Sequence, residues 1–498
     1  MPVQEDTAAA RYRWLALVTL LVAEAMNLLD ATITTVVAPV IHRDFGGAES
    51  DIQWFSAAYT LPFAVLLVPG GRLGDLIGRK RVFTAGVALF ALASAVCACA
   101  TGSGMLITTR AVQGAAAALI IPQTIGLIRA MFEGDELAKA MGSIGPVMGL
   151  AAVCGPVLGA VLTRADLFGV SWRAAFLVNV PLAALVLAIA WALRESRSPH
   201  PPRVDLPGTG LAVLGTGLIV YPLIQGDAAG WPAWVWIALA AGVAVLAALG
   251  WHQRHRARRG RSPLIEPSLF RDRAFPAALA TSTLFFAVMN GLMVAIVLQV
   301  QLGLGSDVLT AGLTLLPWSA AMAVASWHAG ARLVPRHGAK IMFVGLAALF
   351  AGLICAIGVY HAAPADGCPW PLLAALSLGG AGNGLFTVPF FTTALSRVRP
   401  HETGSAAGLL NAVQQFGGTL GVAVLGTAFL HRFTADVRSH VDPGAAALGA
   451  VRLTFWIAAG LVAVTAVAAA WMGVRDPQAE PVRRRSAVGR RSGQTVER

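Results

Sequence analysis

Fourteen apolar runs, each long enough to cross a lipid bilayer, leave this chain little choice of fold. A helix rises about 1.5 Å per residue, so roughly 20 apolar residues span about 30 Å of hydrocarbon. The cores lie near residues 14–39, 52–70, 82–101, 104–130, 140–163, 173–193, 207–224, 232–251, 275–302, 309–330, 341–361, 370–395, 405–430 and 451–474. They lack the polar/apolar alternation of barrel strands, and a backbone in lipid must satisfy its own hydrogen bonds, so the runs are read as helices. Only 12% of the residues are charged, about half the share in an ordinary soluble domain. The sequence therefore describes an all-α integral membrane protein with 14 transmembrane helices.

Lys and Arg fall unevenly between alternate connections. With the N-terminus inside, the inner segments hold thirty of the 37 basic residues, which places both termini in the cytoplasm. The net charge of +12 would suggest a nucleic-acid partner in a soluble chain; here the topology bias accounts for it, and no nucleic acid is expected. The basic clusters Arg254–Arg261 and Arg483–Arg485 are either solvated topology signals or contacts for anionic lipid. The first run is too long for the apolar core of a cleavable signal and is kept as helix 1. Of the five cysteines, Cys97, Cys99, Cys154 and Cys355 lie in spans and Cys368 in an outer loop, so no disulfide framework is expected. Cys97 and Cys99 point about 200° apart on a helix, which argues against a shared metal. No metal or cofactor is expected.

The chain also repeats. Gly71-Arg72-Leu73-Gly74-Asp75-Leu76-Ile77-Gly78-Arg79-Lys80 is echoed by Ala331-Arg332-Leu333-Val334-Pro335-Arg336-His337-Gly338-Ala339-Lys340, at an offset of 260. The same offset carries Asp30 onto Asn290, and a looser match of Pro122 with Pro389 places Ser377 opposite Arg110. Two pseudo-symmetric six-helix bundles follow, with helices 7 and 8 as an inserted pair. The expected division is a tail at 1–13, an N-terminal bundle at 14–194, linker and inserted helices at 195–251, a basic loop at 252–274, a C-terminal bundle at 275–474 and a basic tail at 475–498. Pro199, Pro201 and Pro202 stiffen the linker.

Inside this apolar frame three charges stand out: Glu24 and Asp30 in helix 1 and Arg110 in helix 4. A charge at the centre of a lipid-embedded helix costs at least about 2.5 kcal/mol on insertion scales, so it faces the bundle interior and carries a function by default. Helix 1 runs outward and helix 4 inward, which puts Asp30 and Arg110 at similar depth in the outer half. A proton-titrating carboxylate flanked by Arg110 and Gln113 is the expected coupling site. Glu24, with Asn27 and Thr34 along one polar stripe, is either a second proton site and cationic-substrate contact or a protonated structural acid. In the second half Asn290, Trp318, Asn383, Asn411, Gln414 and Gln415 are candidates for a neutral cavity lining, or for interhelical hydrogen bonds and aromatic packing.

The segment Gly71–Arg81 suits a tight hairpin: Gly71, Gly74 and Gly78 permit close backbone approach, Asp75 can meet the positive end of a helix, and Arg79 anchors at the interface. It resembles the signature loop of the major facilitator superfamily. Leu29–Pro39 is similar to the helix 1 motif of that superfamily's fourteen-helix drug:proton antiporters, the QacA and EmrB type. Arg110, Gln113 and Gly114 resemble their helix 4 motif, Gly149, Gly155, Pro156 and Gly159 their helix 5 antiporter motif, and Ser171–Pro181 their helix 6 start. The resemblance covers residues 14–474. Ala57 stands where some multidrug relatives carry an acid, and spans 9 to 14 contain no carboxylate within their cores, which argues against divalent lipophilic cations as substrates.

The resemblance implies a proton-coupled efflux antiporter, exporting a small amphipathic drug or antibiotic across a bacterial cytoplasmic membrane and working as a monomer. Its loop acid, Asp75, would latch onto the start of helix 13 near Gly404 and Ser405 in the outward-facing form. Helix 5 would be a gate hinge between halves or a tightly packed static contact. Export of an endogenous metabolite, siderophore or lipid, and ligand sensing without transport, are the alternatives. No nucleophile motif, metal cluster or phosphate loop suggests an enzyme.

Overall fold

The computed structural model describes residues 3–166, 169–197, 205–226, 229–362, 370–396, 398–399 and 403–472. The three linker prolines, Cys368 and the basic cluster at 483–485 lie outside them. Among the described residues fourteen helices are long and apolar enough to cross a membrane. They are α1 (Val3–Phe45), α2 (Asp51–Ile77), α3 (Arg79–Ala98), α4 (Ser103–Met131), α5 (Ile144–Ala165, after a short helix at Gly134–Gly142) and α6 (Ser171–Ala192). The inserted pair is α7 (Leu206–Gln225) and α8 (Ala233–Arg258). The remainder are α9 (Ala274–Gly303), α10 (Val308–His337), α11 (Lys340–Ala362), α12 (Trp370–Leu395), α13 (Thr403–Arg438) and α14 (Pro443–Trp471). An even number of crossings puts the start of α1 and the end of α14 on one face, called here the terminal face; the other is the distal face.

Local chemistry sets several boundaries. Gly78, at φ 116°, is the single residue between α2 and α3, a conformation that disfavours any side chain. Asp205, Asp307 and Asp442 cap α7, α10 and α14, each accepting from backbone N–H groups of the first turn, with proline following closely in α7 and α14.

The two bundles repeat one packing scheme. In the first, α1 packs on α5 and α6, α4 on α2 and α3, and α3 on α6; in the second, α9 packs on α13 and α14, α12 on α10 and α11, and α11 on α14. The seams between bundles are themselves paired, α2 against α13 and α5 against α10. The distal half is sealed. Ile33, Val36 and Val37 of α1 share an apolar cluster with Val294, Ile296 and Val297 of α9, Gln301 Nε2 donates to Val36 O at 2.7 Å, and Arg164 pairs with Asp307 at 2.6 Å. Gly312 of α10 lies so close to α5 that a Cβ there would sit 2.8 Å from Pro156 O.

Helix α7 packs on α8 and reaches both α2 and α13, while the outer face of α8 carries exposed Trp236, Ile237, Val243 and Trp251. Where this pair joins the bundles, Asp205 is fully buried. It accepts from Gln253 Nε2 at 2.9 Å and Gly208 N at 3.1 Å, with His252 Nε2 at 3.2 Å and Arg256 Nη1 at 3.4 Å. Burial pushes this carboxyl up, but the bonds from Gln253, Gly208 and His252 and the Arg256 charge outweigh it and hold the group below the usual carboxylate value. Arg72 of the α2 end donates to Pro263 O in the loop after α8.

The three charges read inside helices 1 and 4 are buried, and buried charge also occurs at a helix end. Among the described residues Glu24, Asp30, Arg110 and Asp205 are fully buried. Arg452, at the edge of the last apolar core, lies ten residues into α14 and donates from Nε to Tyr360 O at 3.0 Å. Both were hidden because each sits where an apolar run begins and a loop residue is expected.

Candidate functional site

Asp30 and Arg110 meet. Each side chain is 1% exposed, and the guanidinium Nη1 donates to Asp30 Oδ2. Arg110 Nη1 also donates to Gln113 Oε1 at 2.7 Å and its Nε to the carbonyl of Phe55 at 3.0 Å. Gln113, one turn along α4, returns its Nε2 to Asp30 Oδ1 at 2.9 Å and to Ser94 Oγ at 2.8 Å. A further donor completes the shell: Asn179 Nδ2 reaches Asp30 Oδ1 at 2.7 Å from α6. The guanidinium lies 4.4 Å from the Tyr59 ring centroid and 5.7 Å from that of Phe176.

Five helices thus converge on one carboxylate: α1 supplies it, α4 the charge, α6 an amide, α3 the Ser94 hydroxyl and α2 a carbonyl and a ring face. The approach of α2 depends on Gly114, where a Cβ would lie 2.0 Å from Tyr59 O. Removing one partner of such a buried pair leaves an uncompensated charge, at a cost of about 3–5 kcal/mol. The arrangement holds one carboxylate against a guanidinium and two side-chain amides, enclosed by protein.

Sequence reading brought Asp30, Arg110 and Gln113 together. It missed Asn179, Ser94, Phe55 O and Tyr59. Asn179 lies inside the helix 6 segment that resembles the antiporter family, the one signal that pointed to it. Glu24 is buried beside the Thr124 hydroxyl, and both it and Asp30 lie in the electrostatic neighbourhood of Tyr59. Asn27, between the two acids on α1, gives its Nδ2 to Ala23 O at 2.8 Å. Its Oδ1 and the Tyr59 hydroxyl are buried without a hydrogen-bond partner among the described residues.

On the terminal face Asp75 pairs with Arg79, whose Nη2 lies 2.8 Å from Oδ1, and Arg79 Nη1 donates to Gly126 O at 3.2 Å. Gly71 faces Pro122, and Gly74 receives the Gln123 side chain so closely that a Cβ would lie 1.9 Å from Oε1. The hairpin is tied to the end of α6 through Arg79 N to Ser196 O at 2.9 Å and Lys80 Nζ to Leu193 O at 2.9 Å.

Of the helix 5 motif, Gly155 and Gly159 are close-packing positions against Thr32 and Ile33 of α1, and Pro156 is buried. Gly149 is not: a Cβ there meets nothing within 4 Å. Six residues before Gly155, it lies about 120° away around the helix. Of the second-half candidates, Asn290 is exposed at mid-helix against Gly418, and Asn411, Gln414 and Gln415 are half-buried on α13. Trp318 and Asn383 are buried in the contact of α10 with α12, where Asn383 Nδ2 lies 3.1 Å from Met322 Sδ. Asn290 and Ser377 do not form a second ion-pair analogue; each bonds a carbonyl of its own helix, Phe286 O and Leu373 O.

Two mirrored six-helix bundles sealed against each other at one face, with buried charge in one of them, define a secondary transporter rather than an enzyme. The chain belongs to the Major Facilitator Superfamily, whose sequence profile matches residues 20–422. It is 42% identical to the probable actinorhodin transporter of Streptomyces coelicolor over 87% of this chain and 75% of that one. It is 34% identical to the puromycin resistance protein pur8 of Streptomyces alboniger over 92% and 90%. A solved bacterial homologue of the human lysosomal transporter Spinster, inward-facing and unoccupied, shares the fold with a TM-score of 0.63 at 17% identity, covering 94% of this chain and 99% of that one.

Proposed function

We propose that the protein exports a small amphipathic drug or antibiotic across the cytoplasmic membrane in exchange for protons, with Asp30 as the coupling carboxylate. The observation that carries this reading is the Asp30–Arg110 pair, a titratable group enclosed by protein on five helices. Relatives named for antibiotic transport and resistance support the direction of movement.

With the Lys and Arg bias read as putting the terminal face in the cytoplasm, the seal at the distal face closes the outer side of the protein. Ionised Asp30 is held by three donors and ties α1 to α4 and α6. A proton arriving at Asp30 removes the charge that Arg110 faces and loosens the tie of α1 to α4, so the balance between the two packings of the bundles shifts. A differential interaction with the two states is what coupling requires, and protonation at Asp30 would supply one. Both bundles supply the seam residues, so a single copy suffices.

The test is accumulation of a labelled antibiotic in inverted vesicles under an imposed pH gradient. Wild-type protein should accumulate it and dissipate the gradient, and Asp30→Asn should do neither while still binding the compound. Full gradient-driven activity in Asp30→Asn would exclude Asp30 as the coupling group.

A further inference from the structure

We infer that Asn179 is a two-way amide that bonds Asp30 in both of its protonation states, donating to the carboxylate and, after turning over, accepting from the carboxylic acid. This inference rests on Asp30 being the proton-coupling group.

The argument is one of donors and acceptors. An ionised carboxylate only accepts; a carboxylic acid must also place one proton on an acceptor. Around Asp30 acceptors are scarce. Arg110 has none. Gln113 is fixed at both ends of its amide, Oε1 by Arg110 and Nε2 by Asp30 and Ser94, so turning it over would break the bond from the guanidinium. The Phe55 carbonyl is engaged by Arg110 Nε.

Asn179 differs in one respect. Its Nδ2 lies 2.7 Å from Asp30 Oδ1, whereas its Oδ1 is buried with no hydrogen-bond partner among the described residues. A buried amide oxygen left unpaired is costly, by roughly 1–3 kcal/mol, and calls for a reason. Half a turn about its last side-chain bond exchanges the two ends at the same place. That turn gives the unpaired oxygen a donor and moves Nδ2 to the place where Oδ1 had none, so one end of the amide is unpaired in either state and the proton on Asp30 decides which. The proton taken up from water becomes the Asp30 Oδ1–H and is bonded to Asn179 Oδ1; on release it returns to water, the carboxylate reforms and Nδ2 swings back.

The other ionisable groups of the surrounding helices cannot substitute. Arg110 of α4 only donates. Tyr59 of α2 and Cys97 of α3 lie near Asp30 and Arg110, but Cys97 Sγ is turned to Gln113 Oε1 at 3.8 Å and the Tyr59 ring is covered by the guanidinium. Glu24 of α1 sits beside Thr124. Arg164 of α5 and Arg173 of α6 pair with Asp307 and Asp44, and Cys154 of α5 is exposed. Asn179 is accordingly a positioning residue: it keeps α6 bonded to α1 when Arg110 loses its counter-charge, so protonation changes the α1–α4 contact without releasing the α1–α6 contact.

The experiment is infrared difference spectroscopy between low and high pH on the full-length protein in lipid, with the carboxylic-acid C=O band of Asp30 assigned by its loss in Asp30→Asn. In Asn179→Leu that band should move to higher frequency, because the acid has lost its acceptor, and in Asn179→Thr, whose hydroxyl can donate or accept, it should return toward the wild-type position. In wild-type protein carrying ¹³C-labelled asparagine side chains, one amide band should shift with the same midpoint as Asp30 and stay fixed in Asp30→Asn. That measurement decides the matter alone if Asn179→Leu does not fold. A titrating Asp30 band that is unmoved in Asn179→Leu, or no amide band that follows it, overturns the two-way amide and leaves proton coupling standing. No titrating Asp30 band at any pH overturns proton coupling and the amide with it.

Discussion

The two six-helix bundles repeat one packing scheme and differ in what joins the first helix of each to the fourth. In the N-terminal bundle α1 meets α4 through a buried ion pair. In the C-terminal bundle the corresponding helices α9 and α12 meet through Phe285 and Phe386, stacked with centroids 3.9 Å apart, with Phe390 stacked on Phe386 at 5.1 Å. One scaffold therefore tolerates either chemistry, and the helix arrangement is set by small residues at crossings and not by the charges. What the charges add is a contact whose strength depends on proton binding. An aromatic stack has the same strength at every pH, which suits a bundle that moves as a body against its partner.

The largest effects should come from breaking each contact in turn. Arg110→Leu strands Asp30 in a dry site and should cost about 3–5 kcal/mol, seen as a lowered melting temperature in detergent. Adding Asp30→Leu to it should restore most of that stability, because neither charge is then left unpaired, while gradient-driven transport stays absent. Phe285→Ala should cost a similar amount, about 3–5 kcal/mol, but protein that folds should keep the pH dependence of the wild type. A restored transport activity in the Asp30→Leu/Arg110→Leu protein would dissolve the distinction between the bundles.

The junction with the inserted pair comes next. Asp205→Asn removes charge-assisted bonds worth about 1.5–3 kcal/mol. The folded state holds this carboxyl below its ordinary value, so its stabilising contribution is complete above about pH 4, the unfolded value, and is lost as pH falls through the lower, folded value. The melting-temperature gap between wild type and Asp205→Asn should therefore be widest near neutral pH and close as the solution is acidified. A gap that widens on acidification would show that the carboxyl is not held ionised by its partners.

How much of this was legible depends on contrast. Asp30, Arg110 and Gln113 were readable because a charge inside an apolar run has no neutral explanation. Asn179 was not, because a lone asparagine in a span is as often an ordinary interhelical bond, and nothing in sequence says which helix it faces. The Phe55 carbonyl is invisible in principle, since every residue carries one. Asp205 looked like the solvated end of a proline-rich linker; its burial comes from His252, Gln253 and Arg256, which return from the far end of α8. The count of fourteen helices needed only length and hydropathy, and the pairing of halves needed only the repeat.

Smaller effects separate the two glycines of the helix 5 motif. At Gly155 a Cβ would lie 1.9 Å from Thr32 Oγ1, so Gly155→Ala must part α1 from α5 or turn Thr32, at about 1–3 kcal/mol. Gly149→Ala meets open space and gains helix propensity, and it should stabilise the protein by roughly 0.5–1 kcal/mol. Opposite signs in a thermal-shift comparison are expected; equal losses would mean that α5 packs closely along its whole length.

The smallest effect is the one that compares the bundles across their seam. Arg164 and Asp307 join α5 to α10 at the distal face with side chains 60% and 43% exposed, so water screens the pair and its worth is about 0–1 kcal/mol. Asp307 also caps α10 through Thr310 N at 2.9 Å, and asparagine keeps a cap of that kind. Asp307→Asn should leave the melting temperature nearly unchanged while removing one contact that exists only when the distal face is closed. The closed population should then fall by up to about fivefold relative to the open one, read as faster labelling of a cysteine placed at Val36 on the distal side of α1. Unaltered labelling in Asp307→Asn would mean that the apolar seal between α1 and α9 alone holds the distal face shut.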